Sequence, residues 1–127
     1  MNKKELAVQY KHSGCNCAQA VIAAFCDECG LTLDQAKKAG AGFGSGMGGM
    51  KGTCGALCGA HTVLGFRIYN GVTINPVSKI LYELFENKCG STVCKELKGT
   101  ETGRMLCSCD DCVANAVECL EQVCSRE

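Results

Sequence analysis

Apolar residues recur along this chain three and four positions apart, the repeat of an α-helix. No stretch alternates with the period of two that a half-buried strand needs. Ala18, Val21, Ile22, Phe25 and Cys29 share one helical face, so a helix is expected over about 16–28, closed by Gly30. Thr32 followed by Gln35 is a capping box that opens a helix over about 33–41. Leu57, Ala60, Leu64 and Ile68 form the stripe of a helix that starts near Cys54 and ends at about Tyr69, before Asn70-Gly71. Asn75-Pro76 reads as a cap with proline in the first helical position, leading a helix with Val77, Ile80, Leu81, Leu84 and Phe85 that stops at Gly90. Ser91 is expected to cap a short turn over VCKEL. Asp110 or Asp111 is expected to cap a last helix with Val113, Ala116, Val117, Leu120 and Cys124 on one side. A short helix over 3–12 completes the series, and residues 42–52 form a Gly-rich loop. The expected fold is all-α: a single compact domain over residues 1–127, with about five or six short helices around one core.

Composition narrows the partners. Thirteen Lys and Arg balance thirteen Asp and Glu, and tryptophan is absent. With neither a basic stripe nor a base-stacking surface, nucleic acid is not an expected partner. No run approaches the roughly 18 apolar residues of a membrane span. The outlying number is 13 cysteines. In a secreted chain that density would mean a disulfide scaffold. The opening MNKKELAVQYKHSGC, however, has charges and lacks the apolar segment of a secretory signal. Thirteen is also odd, so the thiols cannot all pair within one chain. The expected compartment is the cytoplasm, where cysteine-rich chains bind metal or do redox work.

The thiols gather at helix starts. Cys15 and Cys17 precede or open the second helix. Cys54 opens the fourth, with Cys58 one turn on. Cys94 follows Cys89 into the short helix, and Cys107, Cys109 and Cys112 lead into the last one. A helix N-terminus offers free N–H groups and the positive end of the macrodipole, both of which stabilise a thiolate. Cys15, Cys17, Cys54, Cys58, Cys94, Cys107, Cys109 and Cys112 are therefore the candidate metal ligands. Gly44, Gly46, Gly48 and Gly55 are the candidate backbone positions that let N–H groups approach a bound anionic centre. His61 lies seven residues after Cys54 and three after Cys58, where helical spacing places it on their face as a ligand or a donor to sulfur. Glycines 55, 59 and 65 have a plainer reading as close helix packing. A dinucleotide site is rejected, because a capped helix, not a strand, precedes the glycine run. Cys26-Asp27-Glu28-Cys29 sits at a helix end, the wrong end for a thioredoxin-type pair. Cys26, Cys29, Cys119 and Cys124 read as core packing rather than a second site. His12 reads as solvated, and Met47, Met50 and Met105 as gap-fillers.

In order along the chain, Asn16-Cys17-Ala18-Gln19-Ala20-Val21, Gly42-Phe43-Gly44 with Gly46-Met47-Gly48, Cys54-Gly55-Ala56-Leu57-Cys58-Gly59, Cys94-Lys95-Glu96-Leu97 and a late cysteine before Val113 and Ala116 resemble the CGAxxG (C_GCAxxG_C_C) family of redox-active proteins. That family is similar to the iron–sulfur domain of split-Soret cytochromes. The resemblance implies a helical, dimer-forming domain whose four cysteines bind an iron–sulfur cluster. Carried over by position, they are Cys17, Cys54, Cys94 and Cys109, with Cys112 a rival for the last. The extra thiols Cys15, Cys58, Cys89, Cys107 and Cys112 suggest more ligands than one four-cysteine cluster needs. They would suit a larger cluster, a second cluster or one that changes form.

The leading expectation is an iron–sulfur redox protein serving an unidentified redox partner protein. One alternative is a thiol–disulfide oxidoreductase using Cys54 and the resolving Cys58, although an i, i+4 helical pair makes a poor disulfide. The other is a zinc or soft-metal module.

Overall fold

Local capping sets most of the boundaries in the computed structural model, which describes residues 1–125. Asn2 Oδ1 accepts from the Glu5 N–H and starts α1, Lys3–His12. Asn16 and Gln19 close a full capping box on α2, Cys17–Ala24, and Thr32 and Gln35 do the same for α4, Leu33–Gly40. Between them α3, Cys26–Cys29, is a single turn. The one helix expected over 16–28 is therefore two. Phe25 leaves helical geometry at φ −111°, ψ 14°, and its ring is buried in the core.

The long helices follow: α5, Gly55–Ile68; α6, Asn75–Cys89; and α8, Cys109–Cys124, with the short α7, Cys94–Lys98, before the last. Three expected caps are corrected. Val93, not Ser91, is the N-cap of α7, and Ser91 Oγ accepts from the Val93 N–H at 3.1 Å. Ser108 caps α8 by accepting from the Asp111 N–H at 3.1 Å, so Asp110 and Asp111 sit in the first turn and favour the positive end of the dipole instead. Asn75 is already helical, and its N–H donates to Thr73 Oγ1 at 3.2 Å. Among the described residues there are eight helices and no strand, so the all-α expectation holds with more and shorter pieces.

The middle layer is α2, packed against α1, α4, α5 and α8. Val21 and Ile22 meet Leu57 and Leu64 of α5, Leu81 and Phe85 of α6, and Val113, Val117 and Leu120 of α8 in one buried cluster. The α2–α5 crossing is close because α5 presents glycine: a Cβ on Gly59 would stand 2.8 Å from the Ala18 carbonyl oxygen. Gly55 makes a similar close approach, whereas Gly65 faces open space. Among the described residues no helix is long and apolar enough to cross a membrane.

Candidate metal centre

The starts of α2, α5, α7 and α8 converge. Cys17 is the first residue of α2, Cys54 the N-cap of α5, Cys94 the first residue of α7 and Cys109 the first residue of α8. All four line one cleft of about 300 Å³, together with Lys11, Lys98 and Met50. Gly46 and Gly55 also line it. A Cβ on Gly46 would lie 2.7 Å from Cys94 Cβ, so only glycine leaves room there. Gly46 also sits at φ +60°, a conformation that costs a side-chain-bearing residue about 1–2 kcal/mol.

The glycine loop is an ordered clamp. Ser45, Met47 and Met50 also have positive φ, unusual for residues with side chains. The Met50 N–H donates to Ser45 O, and Gly52 N–H to Gly46 O. The loop's carbonyls then seize α7: Cys94 N–H donates to Gly52 O at 3.0 Å and Lys95 N–H to Met50 O at 2.8 Å. Backbone strain held this firmly, beside a thiol-lined cleft, marks a site shaped for something other than stability.

The four thiols are not electrostatically alike. Hydrogen bonding from Cys112 and from the Ala56 and Leu57 N–H groups at the start of α5, aided by Lys98, outweighs burial at Cys54 and lowers its pKa to about 7. Burial, followed by the nearby Cys109 and Cys54 thiolates, pushes Cys17 up to about 12. Burial also raises Cys94. The helix-start N–H groups thus favour a thiolate at α5, while those of α7 are taken by the glycine loop and those of α2 and α8 by the Asn16 and Ser108 caps. Burial lowers the Lys98 pKa, but the Cys112, Cys109 and Cys54 thiolates more than offset it and hold the ammonium above its usual range.

A second gathering of thiols adjoins the first. Cys89 closes α6, Cys107 precedes α8 and Cys112 lies in α8's first turn. All three are buried, with their Sγ atoms within 4.8 Å of one another, close enough to hold a metal ion. Among the described residues this is where three ligand atoms meet at that distance; the cleft thiols are spaced more widely. Cys112 joins the two groups, since Cys54 and Cys89 both lie within reach of its single S–H. Donating raises its own pKa and lowers that of Cys89 to about 6.

The remaining candidates fall elsewhere. Cys15 is packed in the core cluster. Cys58 and His61 border a shallow surface hollow with Phe43, Thr53, Thr62 and Tyr82, outside the cleft. Cys58 Sγ contacts the Thr53 carbonyl oxygen at 3.9 Å, and burial raises its pKa to about 11. His61 Nδ1 meets Ser78 Oγ at 2.8 Å, and its buried Nε2 has no hydrogen-bond partner among the described residues. Burial keeps the ring neutral by lowering its pKa. Gly44 abuts Asn16, a cleft residue, while Gly48 faces open space. His12 is exposed, as expected, but pairs with Asp110 at 2.6 Å. Cys119 is buried in the core, with Cys26, Cys29 and Cys124 packed against it.

Sequence reasoning missed Lys98, which could have been found as the cation one turn after Cys94. Cys89 was counted among the extra thiols but not among the candidate ligands, and Met50 was read as a gap-filler although its Sδ lies 3.7 Å from Cys94 Sγ.

Thiols drawn from four helix starts into one cleft, with three more behind them, define a cysteine-rich helical protein equipped for metal or redox chemistry. The chain belongs to the family described as "Putative redox-active protein (C_GCAxxG_C_C)", whose model matches residues 15–123. No curated protein and no solved structure matches it.

Proposed function

We propose that this is an iron–sulfur redox protein whose cluster is held by Cys17, Cys54, Cys94 and Cys109. One observation carries the reading: four thiols spread across 93 positions of sequence, from four helix starts, line one glycine-bordered cleft of about 300 Å³. Their donor chemistry and wide spacing suit a group with several metal atoms. When bound, such a cluster supplies one-electron redox chemistry. The chain's own residues do the rest. Gly46 and Gly55 leave the volume open. Lys98 and Lys11 offset thiolate charge. Met50 covers the Cys94 side. Cys17 and Cys94, both shifted up by burial, release their protons only as metal binds. The reading includes a reducing, cytoplasmic setting, in keeping with the 13 cysteines of the chain, and a homodimer, for which exposed Phe66 and Tyr69 beside the open face of Gly65 offer an apolar patch.

The test is anaerobic purification with an absorption spectrum and assays of iron and acid-labile sulfide per chain. A brown protein with matched iron and sulfide supports the reading. A colourless one, after reconstitution with iron and sulfide, overturns it.

A second reading rests on the lowered pKa of Cys54. A thiolate near neutral pH is nucleophilic, and its hydrogen-bonded neighbour is Cys112 rather than the helical Cys58. Loss of two titratable thiols under mild oxidation of the metal-free chain, with a mapped Cys54–Cys112 bond, is the outcome that would favour it.

A further inference from the structure

Three buried thiols in a protein rich in cysteine have a bland explanation, since cysteine is a small hydrophobe. Cys89, Cys107 and Cys112 lie in the buried core cluster, but polar side chains reach in to them. The Asn115 side-chain amide is aimed at two of the sulfurs, 3.4 Å from Cys89 Sγ and 3.8 Å from Cys107 Sγ. Lys98 Nζ stands 3.9 Å from Cys112 Sγ. An amide and an ammonium thus reach the three buried sulfurs, and both would stabilise them as thiolates once a metal takes the place of the protons.

Spacing decides what the thiolates would hold. Ligands of a cluster sit on different metal atoms and stand well apart. Ligands of one zinc ion, with Zn–S about 2.3 Å, have sulfurs about 3.8 Å apart in a tetrahedron. The three Sγ atoms here lie within 4.8 Å of one another, so small side-chain rotations bring them to one ion. The fourth corner is in place. With Zn–O about 2.1 Å, a sulfur-to-oxygen edge is about 3.6 Å, and the Asn115 amide head sits at 3.4 and 3.8 Å from two of the three sulfurs. Turning the amide by half a revolution presents its oxygen. Charge agrees: three thiolates, one divalent ion and the Lys98 ammonium sum to zero, whereas a monovalent ion would leave a buried negative charge.

We propose a second, separate metal site: a single zinc ion bound by Cys89, Cys107 and Cys112, with the Asn115 amide oxygen in the fourth position. Binding forms three Zn–S bonds and releases to solvent the thiol protons that the three sulfurs still carry. The ion ties the end of α6 to the start of α8. The site stands apart from the cluster reading, and either can fail alone.

The experiment uses the full chain, purified anaerobically, with zinc, iron and sulfide measured per chain. One zinc is expected in the wild type and in Cys17→Ser and Cys94→Ser. Cys89→Ser and Cys107→Ser should each lose that zinc and keep the wild-type iron and sulfide. Zinc X-ray absorption should fit three sulfurs and one lighter atom. Zinc absent from the wild type after zinc addition, zinc retained in both Cys89→Ser and Cys107→Ser, iron lost together with zinc in these variants, or a four-sulfur zinc shell would each overturn the site. Should the cysteine variants fail to fold by circular dichroism, Asn115→Leu keeps all three thiols. It should weaken zinc at least about tenfold with helicity unchanged; unchanged affinity would overturn the four-ligand site.

Discussion

The cleft and the buried trio are neighbours built from the same residue type, and they differ in almost every physical respect. The cleft takes one thiol from each of four helix starts, spaces them around an open volume and lines that volume with glycine. The trio packs three thiols within 4.8 Å, with an amide aimed at two of them. Cysteine content alone cannot separate the two. Spacing between sulfurs does, because a multi-metal group needs room between its ligands and a single ion does not. Cys112 and Lys98 belong to both environments, so the two groups of sulfurs share one thiol and one charge.

The largest effect should come from swapping which group is damaged. Cys94→Ser is expected to remove the visible absorption of the reconstituted protein almost completely, and Cys107→Ser to leave it intact. Equal loss in both would merge the two sites into one. Gly46→Val comes next. Its Cβ would meet Cys94 Cβ at 2.7 Å from a positive-φ position, so urea unfolding should show a loss of at least about 1 kcal/mol, with iron incorporation falling further than stability accounts for. A pure stability effect would deny the cleft its role as a container.

The coupling can be read by titration. In the metal-free chain Cys54 and Cys89 have lowered pKa values, about 7 and about 6, largely through hydrogen bonds from Cys112. A depressed folded-state pKa contributes stability that is full above the unfolded value near 9 and is lost as pH falls through the folded value. Stability from these two groups should therefore decline between about pH 9 and 6. Cys112→Ala should move the low-pH thiolate absorbance step upward and flatten that decline; an unmoved step would uncouple the sites. The smallest effect belongs to His12→Ala. It removes an exposed pair with Asp110 next to Cys109, and should cost less than about 1 kcal/mol by thermal or urea unfolding with metal content unchanged.

Much of this was readable along the chain. Helical periodicity and the Gly30, Thr32 and Gly90 boundary signals are local, so the all-α architecture and the gathering of thiols at helix starts could be read directly. The failures are also local in cause. Asp110 and Asp111 looked like caps because they flank the last helix, but Ser108 is the residue in extended geometry. Cys54, Cys58 and His61 looked like one helical face. Cys54 is instead the N-cap at φ −52°, ψ 132°, outside the helix, so the spacing rule that joins Cys58 to His61 does not reach it.

The amino-acid sequence by itself determined the helices, their starts and the placement of thiols there, because capping and periodicity act over a few residues. Only the tertiary structure decided which thiols meet. Cys17 reaches Cys109 across most of the chain, and Cys89 finds Cys107 and Cys112 from the far end of α6, because α2 sits in the middle of the core and the glycine contacts at Gly55 and Gly59 let α5 close on it. Those are packing outcomes between distant segments, and no spacing along the chain encodes them.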